Sequence, residues 1–487
     1  MRADRVLFVT LVCLVSVACV KPPPTTTPEI EVEPPETWTA AATDADEPTS
    51  EWWDQFGDAS LGPLIEIALE ENIDLIAAAA RVDRAVAQAR IAGADLKPQI
   101  GIGANAKNQR FNPAAFGQGG EGPGLSASTF TSYGLSLDVS WEVDLWGRLR
   151  AGARAALAEA QAVDADLAGA RLSLAGQTAK TWFAVAEALE QVELARSSAE
   201  SFRVRADWIR ERYEMGIRPP LDLRLALSNL AAAESLLALR REQLDRSLRL
   251  LETLLARYPS ARLLEHFPSA GLPELPAPPP AGLPAEIVSR RPDLVAAERR
   301  LASTDQNLKS ARRALYPRLS LTGSGGTLAL QLADLLDGDF GVWTLAANLT
   351  QPLFQGGRLR AGVEQADATK DEALARYVSS VLQAYREVES ALAAEAFLHD
   401  RVTALEEAVK QTSAAQHLSE QRYAQGVGDY LVVLESQTRA VTSKSDLLSV
   451  RRALLDNRVD LHLALGGGFD YPTDTATADP AAEDPAL

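Results

Sequence analysis

The chain has 487 residues, 46% of them hydrophobic, so it can bury a large core, and its length suggests about three domains of ordinary size. A formal net charge of −18 argues against a nucleic-acid partner. Both cysteines, Cys13 and Cys19, precede residue 20, and the four histidines are scattered, so we expect no disulfide, no metal site and no cofactor.

The N-terminus has the three parts of an export signal over residues 1–18: a charged start, an apolar run too short to span a bilayer, and the small residue Ala18. The sequence Ser16-Val17-Ala18-Cys19 resembles a bacterial lipobox, which implies a lipid on Cys19. Ser16 stands where that pattern usually has Leu, so cleavage without lipidation is the alternative. No Asp follows Cys19, and within this resemblance that favours sorting to the outer membrane.

Two acidic segments flank the body of the chain. Residues 21–50 hold seven acids and one lysine, and residues 470–487 hold five acids and no base, so they supply six and five of the net negative charges. Both are rich in Pro, Thr and Ala, which cannot bury enough apolar surface to offset the entropy of chain ordering. We therefore predict that both are disordered.

Residues 133–145 alternate strictly between apolar and polar side chains, and the polar positions include three acids. A period of two predicts a strand with one apolar face, as in an outer-membrane barrel or a soluble sandwich. Tyr133 and Trp141 favour the barrel, because eight residues span ~26 Å, close to the ~25 Å apolar band that aromatics flank in such barrels. Further strands are predicted at 98–106, 318–323 and 343–353, with glycine-rich hairpin loops at 117–124 and 323–341.

Residues 151–215 contain no proline and are rich in Ala, Leu, Glu, Arg and Gln, which predicts one long helix. If the helix is continuous, it is ~100 Å long at 1.5 Å per residue. Alanine outnumbers bulky residues, so we expect neighbouring helices to pack closely, side by side in a wall. An ordinary long coiled coil is the alternative.

Much of the chain occurs twice. Residues 147–151 (GRLRA) recur as 357–361, and the Arg-Tyr-x-x-Gly motif at 212–216 recurs at 422–426, both at an offset of 210. We predict two structural repeats, each with the order helix, strand, strand, long helix, turn, helix. Between them, the Pro-rich residues 259–292 are expected to form a stiff connector.

Four strands cannot close a barrel, and open sheet edges are not tolerated in a bilayer. Other copies of the chain must complete the sheet. Two copies give a barrel of eight strands, and side chains would fill its interior. Three copies give twelve strands, which leave room for a duct. We therefore expect a homotrimer.

Several motifs in this order resemble the TolC-type outer-membrane efflux proteins, in particular the lipoprotein channel subunits of tripartite resistance-nodulation-division (RND) pumps. They are WWDQFGD at 52–58, the Pro-rich stretch ending GLP at 282–284, RRPDL at 290–294, QPLFQGGR at 351–358 and RYAQG at 422–426. The resemblance covers roughly residues 52–465. It implies a mainly α fold in which a twelve-stranded β-barrel of the trimer continues into a long periplasmic α-barrel.

The resemblance also implies an exit duct that passes small molecules such as drugs, a periplasmic adaptor protein and an inner-membrane RND-type pump as partners, and a constriction at the periplasmic tip. In that family the constriction follows Arg-Tyr-x-x-Gly, so Asp429 and Glu435 are candidate aperture acids, which threefold symmetry would multiply into rings. Their alternative roles are solvated tip acids or helix caps. In the first copy, two prolines before Asp222 replace the usual turn, which leaves open whether Asp222 joins the ring.

The two Arg-Tyr-x-x-Gly turns are candidate adaptor-binding tips, because glycine supplies φ > 0 and Tyr and Arg are common binding anchors. Their residues are Arg212, Tyr213 and Gly216 in the first copy and Arg422, Tyr423 and Gly426 in the second.

Two other functions compete with a small-molecule duct. One is an outlet for secreted polypeptides; the other is a non-conducting, lipid-anchored scaffold, which does not explain four amphipathic strands. An enzyme is not expected, because the chain lacks a Ser/His/Asp signature, a phosphate loop and metal-ligand spacing.

These expectations divide the chain into ten segments. They are the signal peptide 1–18, a lipidated disordered linker 19–50, helices 51–97, strands 98–146, long helices 147–257, the connector 258–292, a helix 293–316, strands 317–356, long helices 357–468 and a disordered acidic tail 469–487.

Overall fold

The computed structural model describes residues 21–24, 37–39, 51–111, 128–279 and 287–467. The predicted export signal with Cys13, the predicted lipidation site Cys19, the predicted loop at 117–124 and the acidic tail lie outside the described residues. Within them the chain forms long helices and one four-stranded sheet. The main helices are α1 Leu61–Glu71, α2 Ile73–Ala94, α3 Arg148–Glu214, α4 Pro220–Leu254, α5 Pro292–Arg313, α6 Arg358–Ala424 and α7 Tyr430–Ala464, and a single helical turn, Ile287–Arg290, precedes α5. The strands are β1 Gln99–Phe111, β2 Ser128–Val143, β3 Arg318–Ala329 and β4 Gly341–Thr350.

The predicted long helix is continuous. α3 has 67 residues, as does α6, so each is ~100 Å long at 1.5 Å per residue. α3 packs against α1, α2, α4, α5 and α7, and α6 packs against α5 and α7. In the part of the chain that the structure describes, no helix combines the length and apolar character needed to cross a membrane.

Small residues bring α3 close to its neighbours. Of its 23 buried residues, 13 are alanine, so backbones rather than bulky side chains set the helix separation. A Cβ on Gly176 would lie 2.5 Å from a Cδ of Leu463 in α7, closer than any real contact. The expectation of close side-by-side helices is confirmed at this contact.

The sheet is antiparallel, in the order β1-β2-β3-β4. One face is apolar: Trp141 of β2 lies opposite Leu321 of β3, and exposed side chains on the same face include Ile102, Leu137 and Leu345. The other face is polar and small, since Asp138 lies opposite Ser324 and accepts a 2.8 Å hydrogen bond from Ser136. The alternation predicted for β2 therefore gives two chemically distinct faces.

Two of the three acids predicted on the polar face hold the junction between sheet and helix. Glu142 forms a 2.8 Å ion pair with Arg148. Asp144 accepts hydrogen bonds from the backbone N–H groups of Leu149 and Arg150, at 3.2 and 2.9 Å, and so satisfies two free donors at the start of α3.

Three strand predictions were too short, since β2 also begins earlier than predicted, at Ser128. β3 continues to Ala329, so the predicted loop at 323–341 was wrong in its first part. Glycine is required within this strand, because a Cβ on Gly326 would overlap the carbonyl oxygen of Leu135 in β2. β1 likewise continues to Phe111, where pairing with Ser128 of β2 overrides a locally polar sequence.

The prediction of disorder over residues 21–50 is wrong at the parts of it that the structure describes. Trp38 is buried against the edge of Tyr385, with ring centroids 6.3 Å apart, in a cluster that joins α5, α6 and α7. Pro23 accepts a 3.1 Å hydrogen bond from the buried guanidinium of Arg299. The prediction used the average composition of the segment, which does not register one tryptophan that packs into an apolar site.

The main core joins the N-terminal 3₁₀ turn Trp52–Phe56 to α3 and α7. Trp52 stacks on His462, with ring centroids 5.2 Å apart, and Phe56 packs on Phe183 at 5.1 Å. Burial, with a smaller effect of Arg458, lowers the pKa of His462 to about 4, so its ring is neutral at physiological pH. Arg458 also donates to the carbonyl of Pro276 at 2.8 Å, which fixes the Pro-rich connector to α7.

Candidate functional site

The two helix turns have the same backbone design. Residues 215–219 join α3 to α4, and residues 425–429 join α6 to α7. Gly216 and Gly426 adopt φ of 73° and 80°, and the next residues close the helix ends through 2.8 and 3.1 Å bonds to the carbonyls of Arg212 and Arg422. A Cβ at either glycine would meet nothing within 4 Å, so the left-handed backbone, rather than space, calls for glycine.

The helices that follow the two turns begin differently. α4 begins at Pro220, whose fixed φ suits the first helical position and whose missing N–H would be unpaired there in any case. α7 is capped by Asp429, whose carboxylate accepts a 3.0 Å hydrogen bond from the N–H of Leu431. The predicted departure at Pro219-Pro220 is thus a different way to start a helix after the same turn.

The equivalent tyrosines lie in opposite environments. Tyr213 is 39% exposed, whereas Tyr423 is 1% exposed. The Tyr423 hydroxyl donates a 3.0 Å hydrogen bond to Asp222 of α4. The backbone carbonyl of Tyr423 accepts a 3.1 Å hydrogen bond from the Arg218 side chain. The Arg218 guanidinium also lies over the Tyr423 ring, 4.2 Å from its centre. Tyr423 therefore joins the second turn to the first.

An apolar cluster surrounds this contact, and we call it the tip cluster. Its buried members are Ala206, Ile209, Ala226, Tyr423, Tyr430, Val433 and Leu434. The Tyr430 ring lies 5.2 Å from that of Tyr423, and Trp208 meets Tyr423 edge-on at 5.9 Å. Burial raises the pKa of Tyr430 to about 12. Burial, and to a smaller extent the hydrogen bond to Asp222, also raise the pKa of Tyr423. Both phenols are therefore neutral at physiological pH.

An ion pair borders the tip cluster on the side towards the sheet. Arg205 of α3 meets Glu420 of α6 at 2.8 Å, and Glu420 also accepts a 2.7 Å bond from Gln437 of α7. Three helices are joined there by one carboxylate. Because the side chains are only partly exposed, this pair is screened less than a pair on the open surface.

The three candidate aperture acids have different partners within one chain. Asp222 belongs to the contact with Tyr423, Asp429 is an exposed helix cap, and Glu435 is exposed and pairs with Arg439 at 2.6 Å. The capping role that was the alternative for Asp429 is present.

The adaptor-binding candidates are divided in the same way. Arg212 lies over the Trp208 ring, 4.0 Å from its centre, whereas Arg422 is exposed. Apolar side chains exposed at both turns surround them, among them Ile217, Leu221 and Val427.

Sequence reasoning missed Trp208, Arg218 and Tyr430, which build much of the site. One signal was present, since Trp208 and Arg212 are four residues apart on a helix and so share a face. The contacts across the two turns had no sequence signal. Among the described residues, no three or more His, Cys, Asp or Glu side chains are placed to hold a metal ion.

Comparison with known proteins identifies a family. The model of the family described as "Outer membrane efflux protein" matches residues 64–257 and 283–467. The pyoverdine export outer membrane protein OpmQ of Pseudomonas putida is 34% identical over 483 residues, which cover 97% of this chain and 100% of OpmQ. The toluene efflux pump outer membrane protein TtgF of Pseudomonas putida is 33% identical over 424 residues, with 86% and 85% covered.

The fold is also similar to that of a solved outer-membrane channel. The outer-membrane channel OprN superimposes with a TM-score of 0.83 and 28% sequence identity, over 92% of this chain and 99% of OprN. The similarity therefore extends over both the sheet and the long helices.

Replacing Tyr423 with Phe should loosen the second turn. The change removes the hydroxyl that donates to Asp222 and leaves a partly buried acceptor without its partner, at a cost of about 1–2 kcal/mol. Hydrogen–deuterium exchange across the turn should become faster, while the middle of α6 keeps its protection. Tyr213→Phe is the matched control, since its hydroxyl has no such contact in the described chain. Equal exchange in the two variants would contradict a special role for Tyr423.

Proposed function

The chain belongs to the outer membrane efflux protein family, whose members are channels rather than enzymes, and on that premise we propose that it is the exit duct of a tripartite efflux system. In this role it passes small molecules from the periplasm and an inner-membrane RND-type pump to the exterior, with a periplasmic adaptor protein between pump and duct. The match of the family model to both halves of the chain is the observation that carries the proposal.

The cargo class follows from the relatives. OpmQ is named for the export of pyoverdine and TtgF for the efflux of toluene, both small organic molecules. These names support a small-molecule cargo over the polypeptide cargo that the sequence left open.

The open edges of the sheet support a trimer. Within the described residues β1 pairs only with β2, and β4 pairs only with β3. Unpaired N–H and C=O groups at two edges are costly in a bilayer, and pairing β4 of one chain with β1 of the next removes both edges. Three copies then close a barrel of twelve strands, with the apolar face towards lipid and the polar face towards the lumen.

Helix burial supports the same assembly. The helix pairs have equal lengths, with 22 residues in α2 and α5, 67 in α3 and α6, and 35 in α4 and α7, as two structural repeats would give. Yet α5 packs between α3 and α6, whereas α2 packs on α3 and is otherwise largely exposed. A second copy that covers α2 with its own α6 would give both repeats the same environment, and further copies would close the helices into an α-barrel.

We assign the closed aperture to the two turns. In a trimer, each turn occurs three times around the axis, and Asp429 and Glu435 are exposed acids in the second turn and near the start of the helix that follows it. Like charges brought close on a narrow axis cost free energy unless cations or basic groups offset them. Asp222 would act differently, by holding Tyr423 and so fixing how the two turns of one chain meet.

Conductance in planar bilayers tests both the duct and its aperture. The purified trimer should conduct, and Asp429→Asn with Glu435→Gln should raise single-channel conductance and weaken block by divalent cations. Asn keeps an oxygen that can cap α7, so charge changes with little effect on the helix start. Glu242→Gln is the control, because Glu242 is also exposed and paired at (i, i+4), with Arg246, far from either turn. A non-conducting wild-type trimer contradicts the duct; wild-type block in the double variant places the constriction at residues 219–222 instead.

Adaptor docking at the turns is tested by replacing the two turn glycines with a residue that can keep their left-handed backbone conformation. Asn tolerates the left-handed conformation, so Gly216→Asn with Gly426→Asn should leave the trimer in the outer membrane and abolish efflux and crosslinking to the adaptor. Gly57→Asn is the control, since Gly57 has φ of 65° and an equally open surrounding. If the double variant exports and crosslinks normally, the adaptor does not use these turns.

A lipid on Cys19 is proposed from the lipobox resemblance. Cys19→Ser should lower the mature mass by the acyl groups and end labelling with radioactive palmitate. The trimer should still assemble in the outer membrane, because one lipid adds only reversible binding to an anchored barrel. An unchanged mass in the variant would mean that Cys19 carries no lipid.

A further inference from the structure

The segment between β3 and β4 folds back over the sheet rather than extending from it. Residues 330–340 contain two 3₁₀ turns, Leu332–Leu336 and Gly338–Phe340, and we call this segment the β3–β4 flap. The hydroxyl of Thr327 in β3 donates a hydrogen bond to the carbonyl of Leu335. The flap is therefore attached by a side chain of the sheet itself.

The register shows which face the flap covers. Thr327 lies opposite Leu135, in the same unbroken register that places Leu321 opposite Trp141, so its side chain is on the apolar face. Ala329 lies opposite Tyr133 on that face and is only 3% exposed, although it ends its strand. The flap thus lies against the apolar face and leaves the polar face uncovered.

The outer surface of the flap combines exposed leucines with acids. Leu332 is 64% exposed and Leu336 85% exposed. Asp337 accepts a 3.1 Å hydrogen bond from the N–H of Asp339, which fixes the second turn. The sequence from residue 319 to 357 contains no Lys, Arg or His, so pairing with phosphate groups does not explain this surface.

We propose that the β3–β4 flap is a lipid-contacting foot, whose leucines rest in the outer leaflet at the boundary between acyl chains and headgroups while its acids remain in water. The inference rests on the barrel orientation proposed above. A duct-blocking role does not fit, because the flap lies on the face opposite the lumen. A second copy does not fit either, because the flap contacts the central strands β2 and β3, whereas other chains would join at β1 and β4.

Continuity of the apolar surface supports lipid as the occupant. Leu137 and Leu345 are exposed on the same face, below the flap, and would meet acyl chains in the barrel. Leu332 and Leu336 extend that surface past the strand ends. Binding of an interfacial element to a membrane grows with the apolar area that it buries, and these leucines supply that area.

Spin labels on the full-length trimer in lipid vesicles test the foot. In a Cys19→Ser background, a single cysteine replaces Leu332, Leu336, Leu345 or Asn348 in turn, and each cysteine is labelled with a nitroxide. The collision rate of the nitroxide with oxygen is then compared with its collision rate with a water-soluble nickel chelate. Leu345 reports the apolar face and Asn348 the polar face of β4. The oxygen-to-nickel ratio at Leu332 and Leu336 should approach that at Leu345 and exceed that at Asn348 several-fold.

The outcomes separate the foot from the barrel. A water-like ratio at Leu336 beside a lipid-like ratio at Leu345 overturns the foot and leaves the proposed barrel standing. A water-like ratio at Leu345 overturns the barrel orientation and the foot with it.

Releasing the flap is the second measurement. Thr327→Val removes the hydrogen bond to Leu335 and should shift Leu336 towards the nickel chelate while Leu345 stays unchanged. Thr322→Val is the control, because Thr322 lies on the polar face of the same strand, opposite Ser140. Equal ratios at Leu336 in the two variants would show that Thr327 does not hold the flap in lipid.

Discussion

Close packing of long helices through small side chains is the constraint on which the other parts of this protein depend. α3 contacts five other helices, and most of its buried residues are alanine. Because α3 runs unbroken from Arg148 to Glu214, it places the sheet and the two helix turns about 100 Å apart. A sheet end and a tip end are therefore fixed by one helix, and a larger residue at Gly176 would require the Leu463 side chain to move.

The segments that are not helical are held to this wall by arginine. Arg458 donates to the carbonyl of Pro276, and Arg299 donates to that of Pro23. Proline-rich segments offer carbonyl acceptors but few N–H donors, so a guanidinium with five donors suits them. Burying an arginine is costly unless its charge is offset, and Arg458 has Glu395 as its partner. The described parts of the N-terminal segment and of the connector are thus part of the packed body.

The tip cluster shows how one motif acquires two roles. Arg-Tyr-x-x-Gly builds the same turn twice, because glycine and the helix-end hydrogen bonds are local. The tyrosine depends on its neighbours: Tyr423 packs against α4 and meets Asp222, whereas Tyr213 remains exposed. The connection between the two turns, and with it the proposed aperture, follows from this difference.

The sequence by itself determined the periodic elements and the family. Period two over residues 133–145 identified β2, the proline-free run identified α3, and the recurring motifs placed both turns, because these signals depend on local geometry alone. The tertiary structure decided what local geometry cannot: that Gly326 belongs to a strand because a backbone passes close to it, that Trp38 finds an apolar site within an acidic linker, and that Tyr423 rather than Tyr213 is buried. Each of these depends on residues distant in sequence, since close approach and burial are properties of neighbours and not of the residue itself.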